Sequence, residues 1–252
     1  MADSTEIEKG LADSGYSIQL DSIRLDSLAF YNRMRTLPGY DGLEAIAVNG
    51  DTAYLSAEAD RDSCYIIKAL FSAAPGHMPQ LNILQTISIS KPAGAAGNDG
   101  YESLVYLEDD HKLLAVFERA FNGRRVVHCI NADLSGDEAI EINDAVGQRL
   151  PEVCIYNNLL LGLGSSYTDN RHRNDTCSSL LVIDLQTSKL SHLLPVANKQ
   201  CGVVWEGMVK FHNGVLLVND NSNGPKKDPS MLAFLPLNDA TLPKAATEAA
   251  SQ

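Results

Sequence analysis

The chain repeats itself four times, and that repeat limits its folds more than any other feature. Gly42-Leu43-Glu44-Ala45-Ile46-Ala47-Val48 is matched by Gly100-Tyr101-Glu102-Ser103-Leu104-Val105-Tyr106. Leu150-Pro151-Glu152-Val153-Cys154-Ile155-Tyr156 and Val204-Trp205-Glu206-Gly207-Met208-Val209-Lys210 match them in turn, at intervals of about 50–58 residues. Each glutamate is followed by a short apolar run and then a polar turn: Asn49-Gly50-Asp51, Glu108-Asp109-Asp110, Asn157-Asn158 and His212-Asn213-Gly214. Such clusters between apolar runs read as hairpin turns. Second strands are expected at 53–57, 113–117, 159–163 and 215–219, and third strands at 65–71, 126–130, 180–185 and 231–235. Weaker fourth strands follow at 81–89, 139–142 and 190–196. Several antiparallel strands in a unit of this length are the mark of a propeller blade. Helical repeats need apolar spacings of three and four, and these runs are short and rich in β-branched residues.

The expected fold is therefore all-β: a β-propeller of four four-stranded antiparallel blades. A fifth, degenerate blade around residues 23–34 is the alternative count. The fourth unit runs out of chain after its third strand. Residues 16–25, with Ile18, Leu20, Ile23 and Leu25 in alternation, are expected to supply its outer strand and close the ring. This divides the chain into a flexible N-terminus at 1–15, a single propeller domain at 16–238 and a disordered tail at 239–252. A hydrophobic content of 44% supports a sizeable core, and no apolar stretch approaches the roughly 20 residues of a membrane helix. The net charge of −12 excludes a general nucleic-acid binder, which needs a basic face. The five cysteines form no CxxC pair, so a structural zinc knot is not expected; they read mostly as small buried hydrophobes. A Cys177–Cys201 bridge is conceivable in an exported form. The compartment stays open: periplasmic or extracellular if an export signal was removed, cytoplasmic otherwise.

The repeat also orders the charges. The residue that starts a blade's first strand and the one that ends its second lie at the same end of the hairpin. Glu44, Glu102, Glu152 and Glu206 thus meet Glu58, Glu118, Gly164 and Asp220 at one mouth of the central channel. Like charges facing one another across strands destabilise, so this mouth needs either a cation or arginines. Ca²⁺ suits carboxylates mixed with amides, and Asn219 and Asn221 flank Asp220. A purely structural role, in which each glutamate bonds amides of a neighbouring blade, is the competing explanation for Glu44, Glu102 and Glu152.

Trp205-Glu206-Gly207-Met208 and Leu216-Leu217-Val218-Asn219-Asp220-Asn221 resemble a blade of the esterase-like, phytase-like β-propeller domain, and Gly42–Ala47 and Gly100–Leu104 resemble further blades. The resemblance implies a calcium-dependent hydrolase with its metal at Glu206, Asn219 and Asp220, with Glu44 and Glu102 as further ligands. The chain departs from that pattern in its low blade count and in Gly164, where other units carry an acid.

Basic groups crowd the loops at the same mouth: Arg119, Arg124 and Arg125, then Arg171, His172 and Arg173. Arginine forks hold phosphate or carboxylate in two-point contacts, so Arg119, Arg124, Arg171, His172 and Arg173 are the candidate substrate binders. No GxSxG, HExxH or P-loop motif is present. Two functions are expected from these features: hydrolysis of an anionic phosphoester, ester or lactone with calcium, or a noncatalytic scaffold that binds a protein or small ligand through its loop face.

Overall fold

The computed structural model describes residues 4–13, 27–59, 62–72, 80–96, 99–166, 177–196, 205–219, 231–238 and 242. It is all-β apart from two short helices, α1 (Ser4–Ala12) and α2 (Ser27–Arg35). Strands β1 (Tyr40–Asn49), β2 (Thr52–Ala59), β3 (Ser63–Ser72) and β4 (Gln80–Ser90) form one antiparallel meander. A second comprises β5 (Ser103–Leu107), β6 (Lys112–Val116), β7 (Arg124–Asn131) and β8 (Asp137–Asn143), and a third β9 (Arg149–Tyr156), β10 (Leu159–Ser166), β11 (Cys177–Asp184) and β12 (Lys189–Pro195). Their outer strands touch through one parallel pairing, Lys189 with Asn143, so the two meanders make one eight-stranded sheet. Strands β13 (Trp205–Phe211), β14 (Gly214–Asn219) and β15 (Leu232–Pro236) form the last sheet. The inner strands β1, β5, β9 and β13 run side by side. The arrangement is propeller-like, and the strands read from the repeat fall within a few residues of those observed.

Turn chemistry sets the registers. Tyr156 pairs with Leu159 across a two-residue turn in which Asn157 (φ 47°) and Asn158 (φ 63°) are both left-handed. Asparagine accepts that conformation more readily than other side chains, and two such residues match the twist of a hairpin. Packing then explains why these strands read as continuous apolar runs. Successive residues serve opposite faces: Leu113 packs toward β1–β4 while Leu114 packs toward β9–β12, and Leu160 and Leu161 divide in the same way. Between β9–β12 and β13–β15, Leu163 and Leu180 meet Trp205, Met208 and Leu217. The remaining face of β1–β4, with Leu55, Ile67 and Leu81, is covered by Phe30 and Met34 of α2. Each such side chain, fully buried, stabilises by about 1.5–3 kcal/mol.

Glu8 of α1 lies 3.0 Å from His212 (Oε1 to Nε2), which brings the start of the chain to the β13–β14 turn. The closing strand expected at residues 16–25 lies outside the described residues, as do most of the tail and the alternative Cys177–Cys201 bridge. Cys64 and Cys154 are buried free thiols and Cys129 is a half-buried one. No described helix is long and apolar enough to cross a membrane.

One buried ion pair fastens the second meander to the third. Arg125, read from the sequence as a mouth-loop arginine, is fully buried. Its Nε and Nη2 donate to Asp144 Oδ2 (2.9 and 2.5 Å), Nη1 to the carbonyls of Phe117 (2.6 Å) and Glu118, and Nη2 to the carbonyl of Gln148 (2.5 Å). Asp144 Oδ1 accepts from the amides of Val146 (3.1 Å) and Gly147 (2.8 Å), which shapes the connection into β9. Breaking a buried pair leaves a charge without compensation. Arg125→Met should therefore cost about 3–5 kcal/mol in urea unfolding, and Arg125→Met with Asp144→Leu should recover part of it. A loss below about 1 kcal/mol would show that the pair does not carry the junction.

Candidate functional site

The acids that open the repeats converge because of irregularities in the strands. In β1, Leu43 pairs with Ala57 and Ala45 with Ser56, so Glu44 sits in a bulge. Glu206 occupies the same kind of shift in β13, between Trp205 and Gly207. Opposite Glu152, which pairs with Leu163, the register shifts again at Leu150 and Pro151, a place where proline is tolerated. Glu102 directly precedes β5. A bulge re-aims one side chain and increases local twist, and here it turns acids toward the channel mouth.

Glu118 is the hub of this mouth. Its Oε1 accepts from the Gly100 amide (3.2 Å), its own amide donates to the Gly100 carbonyl (3.0 Å), and its carbonyl accepts from the Leu150 amide (2.8 Å). Arg149 bonds both Glu118 Oε2 and Glu102 Oε1. Lys91, buried, donates to the Ala59 carbonyl (2.7 Å) and lies 3.9 Å from Glu58 Oε1. Arginine and lysine thus supply part of the compensation that the sequence reading left open. Neither Arg149 nor Lys91 stands out in the sequence, although Arg149 lies three residues before the third repeat glutamate. Asp99 adds a further pair at the rim, 3.0 Å from Arg119 Nε.

The compensation is incomplete. Burial first, and then Glu118, pushes Glu102 up to about 8 against the opposing Arg149. Burial, then Glu44, pushes Glu58 up to about 7 against Lys91. Glu152 rises to about 8 by burial, opposed by the Val153 amide and reinforced by Glu102. Burial and Glu118 raise Glu44 as well. The mouth therefore holds carboxyls that keep their protons near neutral pH.

Several expected site residues have other partners. Asn219 is buried, and its Oδ1 accepts from the Met231 amide, tying β14 to the approach to β15. Arg119 is half exposed at the rim beside Asp99. Arg124 opens β7, with its backbone paired to Phe121 (2.9 and 2.7 Å). Asp220, Arg171, His172 and Arg173 lie outside the described residues. Gly164 has a packing reason: a side chain there would overlap Gln148 Oε1 and Leu181. Among the described residues, no three His, Cys, Asp or Glu side chains are disposed to share a metal ion. Within the expected calcium set, Glu102 Oε1 accepts from Arg149 and Asn219 Oδ1 from the Met231 amide.

Below the acids lies a cavity of about 540 Å³ between the inner strands. Ile46, Val48, Val153, Ile155 and Val209 contribute apolar walls, with Glu152 and Lys210 among its polar lining groups.

No protein-family model matches the sequence, and no curated protein matches it. Solved structures are similar in fold. The hemagglutinin-neuraminidase of parainfluenza virus 5 aligns with a TM-score of 0.50 at 9% identity, over 79% of this chain and 62% of that one. An α-L-arabinofuranosidase from Clostridium thermocellum aligns with a TM-score of 0.51 at 11% identity, over 78% of this chain and 69% of that one. The chain thus spans less than two thirds of the neuraminidase. At such identities the likeness is one of fold, and it agrees with the propeller-like arrangement.

The raised carboxyls tie stability to pH. A carboxyl whose folded value is raised holds more protons folded than unfolded, so its contribution is complete below the unfolded value and lost as pH rises through the folded one. The melting temperature should fall from about pH 5 to about pH 8, and Glu152→Gln should flatten part of that slope. A melting temperature that rises across this window would contradict the assignment.

Proposed function

We propose that this chain is a hydrolase-like propeller that cleaves a C–O or P–O bond at its carboxyl mouth. Glu102 is the observation that supports the reading most directly. Its carboxyl keeps a proton near neutral pH, retains partial exposure and is oriented by Arg149. A proton donor of this kind speeds departure of an oxygen leaving group, while water supplies the hydroxyl that replaces it. Glu44 is the adjoining carboxyl suited to receive the proton of that water. Anionic phosphoesters, esters and lactones are the proposed substrates, with Arg119 and Arg124, and the sequence-expected Arg171, His172 and Arg173, as their proposed binders. Two proteins of similar fold are by name a neuraminidase and an arabinofuranosidase, so glycosides belong in the same panel.

The same reading counts β1–β4, β5–β8, β9–β12 and β13–β15 as four blades, supported by the inner strands β1, β5, β9 and β13 lying side by side. Calcium, held by Glu206 and Asp220 as the sequence resemblance implies, would supply a second means of polarising the bond. Equal melting temperatures in excess calcium and in chelator would remove that part.

Turnover on the panel tests the proposal. Glu102→Gln should lower kcat by about 10²–10⁴-fold with the fold intact, and wild-type activity should decline above about pH 8 as the donor loses its proton. No turnover on any substrate, with a preserved fold, would favour the noncatalytic scaffold.

A further inference from the structure

The cavity beneath the mouth is a second chemical environment. Its roughly 540 Å³ fall within the range of small-molecule sites, which are mostly apolar with a few polar groups that fix orientation. Its walls include Ile46, Val48 and Val209, which are 49%, 56% and 55% exposed although they belong to the innermost strands. Among the described residues of β5–β12 no large apolar side chain is exposed, so the apolar side chains of β1 and β13 left open along the axis mark a surface without a protein partner. At its mouth end the cavity is lined by Glu152, whose Oε1 accepts from the Val153 amide (3.0 Å). Among the described residues no basic side chain pairs with it. Lys210 lies toward the other end of β13, 3.3 Å from Asn157 Oδ1 and over the Tyr156 ring.

We infer that this cavity binds an amphipathic organic amine, with its ammonium group on Glu152 and its apolar body along Ile46, Val48, Val153 and Val209. Two features select that ligand. The apolar walls gain by covering, at roughly 25 cal/mol per Å² removed from water. The Glu152 carboxyl, with no basic partner among the described residues, releases its proton to solvent as the ammonium binds, and the charge-assisted hydrogen bond then formed favours a cationic head over a neutral or anionic one. A metal ion would meet the second requirement and leave the first unmet. This inference stands apart from the hydrolase reading, since it concerns binding along the channel wall and is measured without turnover.

Calorimetric titration with octylammonium, octanol, octanoate and methylammonium, each below its aggregation concentration, tests it. Octylammonium should bind most tightly, octanol at least about tenfold more weakly, and methylammonium and octanoate without measurable heat. Glu152→Gln should bring octylammonium down to the affinity of octanol, and Val209→Asn should weaken both. Octanoate binding as well as octylammonium would overturn the proposal. So would equal affinity of octylammonium and octanol for the unaltered protein, a result that needs no variant to fold.

Discussion

Inner strands that open with glutamates can meet around one axis only if the charge they bring is neutralised. Five carboxyls, those of Glu44, Glu58, Glu102, Glu118 and Glu152, share this mouth with Arg149 and Lys91. Two cations cannot balance five anions, and the remainder is met by protonation. Burial makes the charged form costly and each neighbouring carboxylate makes it costlier, so Glu102 and Glu152 are pushed up to about 8 and Glu58 to about 7. The structural problem of packing the strands thereby produces a set of proton donors.

Arg125 and Arg149 divide the work at the junction of the second and third meanders. Arg125 lies beneath the mouth and gathers the carbonyls of Phe117, Glu118 and Gln148 onto Asp144. That fixes the chain direction just before Arg149, whose guanidinium then reaches Glu102 and Glu118. An arginine fork suits both tasks because its planar donors engage two acceptors at once. The catalytic orientation proposed for Glu102 depends on this two-layer arrangement, in which the buried layer positions the exposed one.

Gly164 shows how a departure from the repeat acquires a reason. In the other described units the corresponding places hold Glu58 and Glu118. In the third, Gln148 and Leu181 press against the backbone, and Ser179 donates to Gln148 Oε1 at 2.5 Å. The third meander trades an acid for close packing at its inner end, and Glu152 is left beside the apolar channel rather than beside a second carboxyl of its own hairpin.

The strand order, the turns and the shared end of the glutamates were legible in the sequence because they follow from short-range rules: two-residue periodicity, left-handed asparagines and repetition at a fixed interval. The all-β class followed from the same signals. The partners of the acids did not, because Arg149 and Lys91 meet them from other parts of the chain, and nothing local marks such a meeting. Arg125 looked like its neighbours Arg119 and Arg124, and only the stacking of one meander on another buries it while leaving those two near the surface. The Met231 amide that meets Asn219 Oδ1 was not legible either, because that contact forms between β14 and the approach to β15. The bulges at Glu44 and Glu206 likewise come from pairing between strands. Pairing, burial and protonation state are properties of groups brought together by the fold, and they were decided at that level.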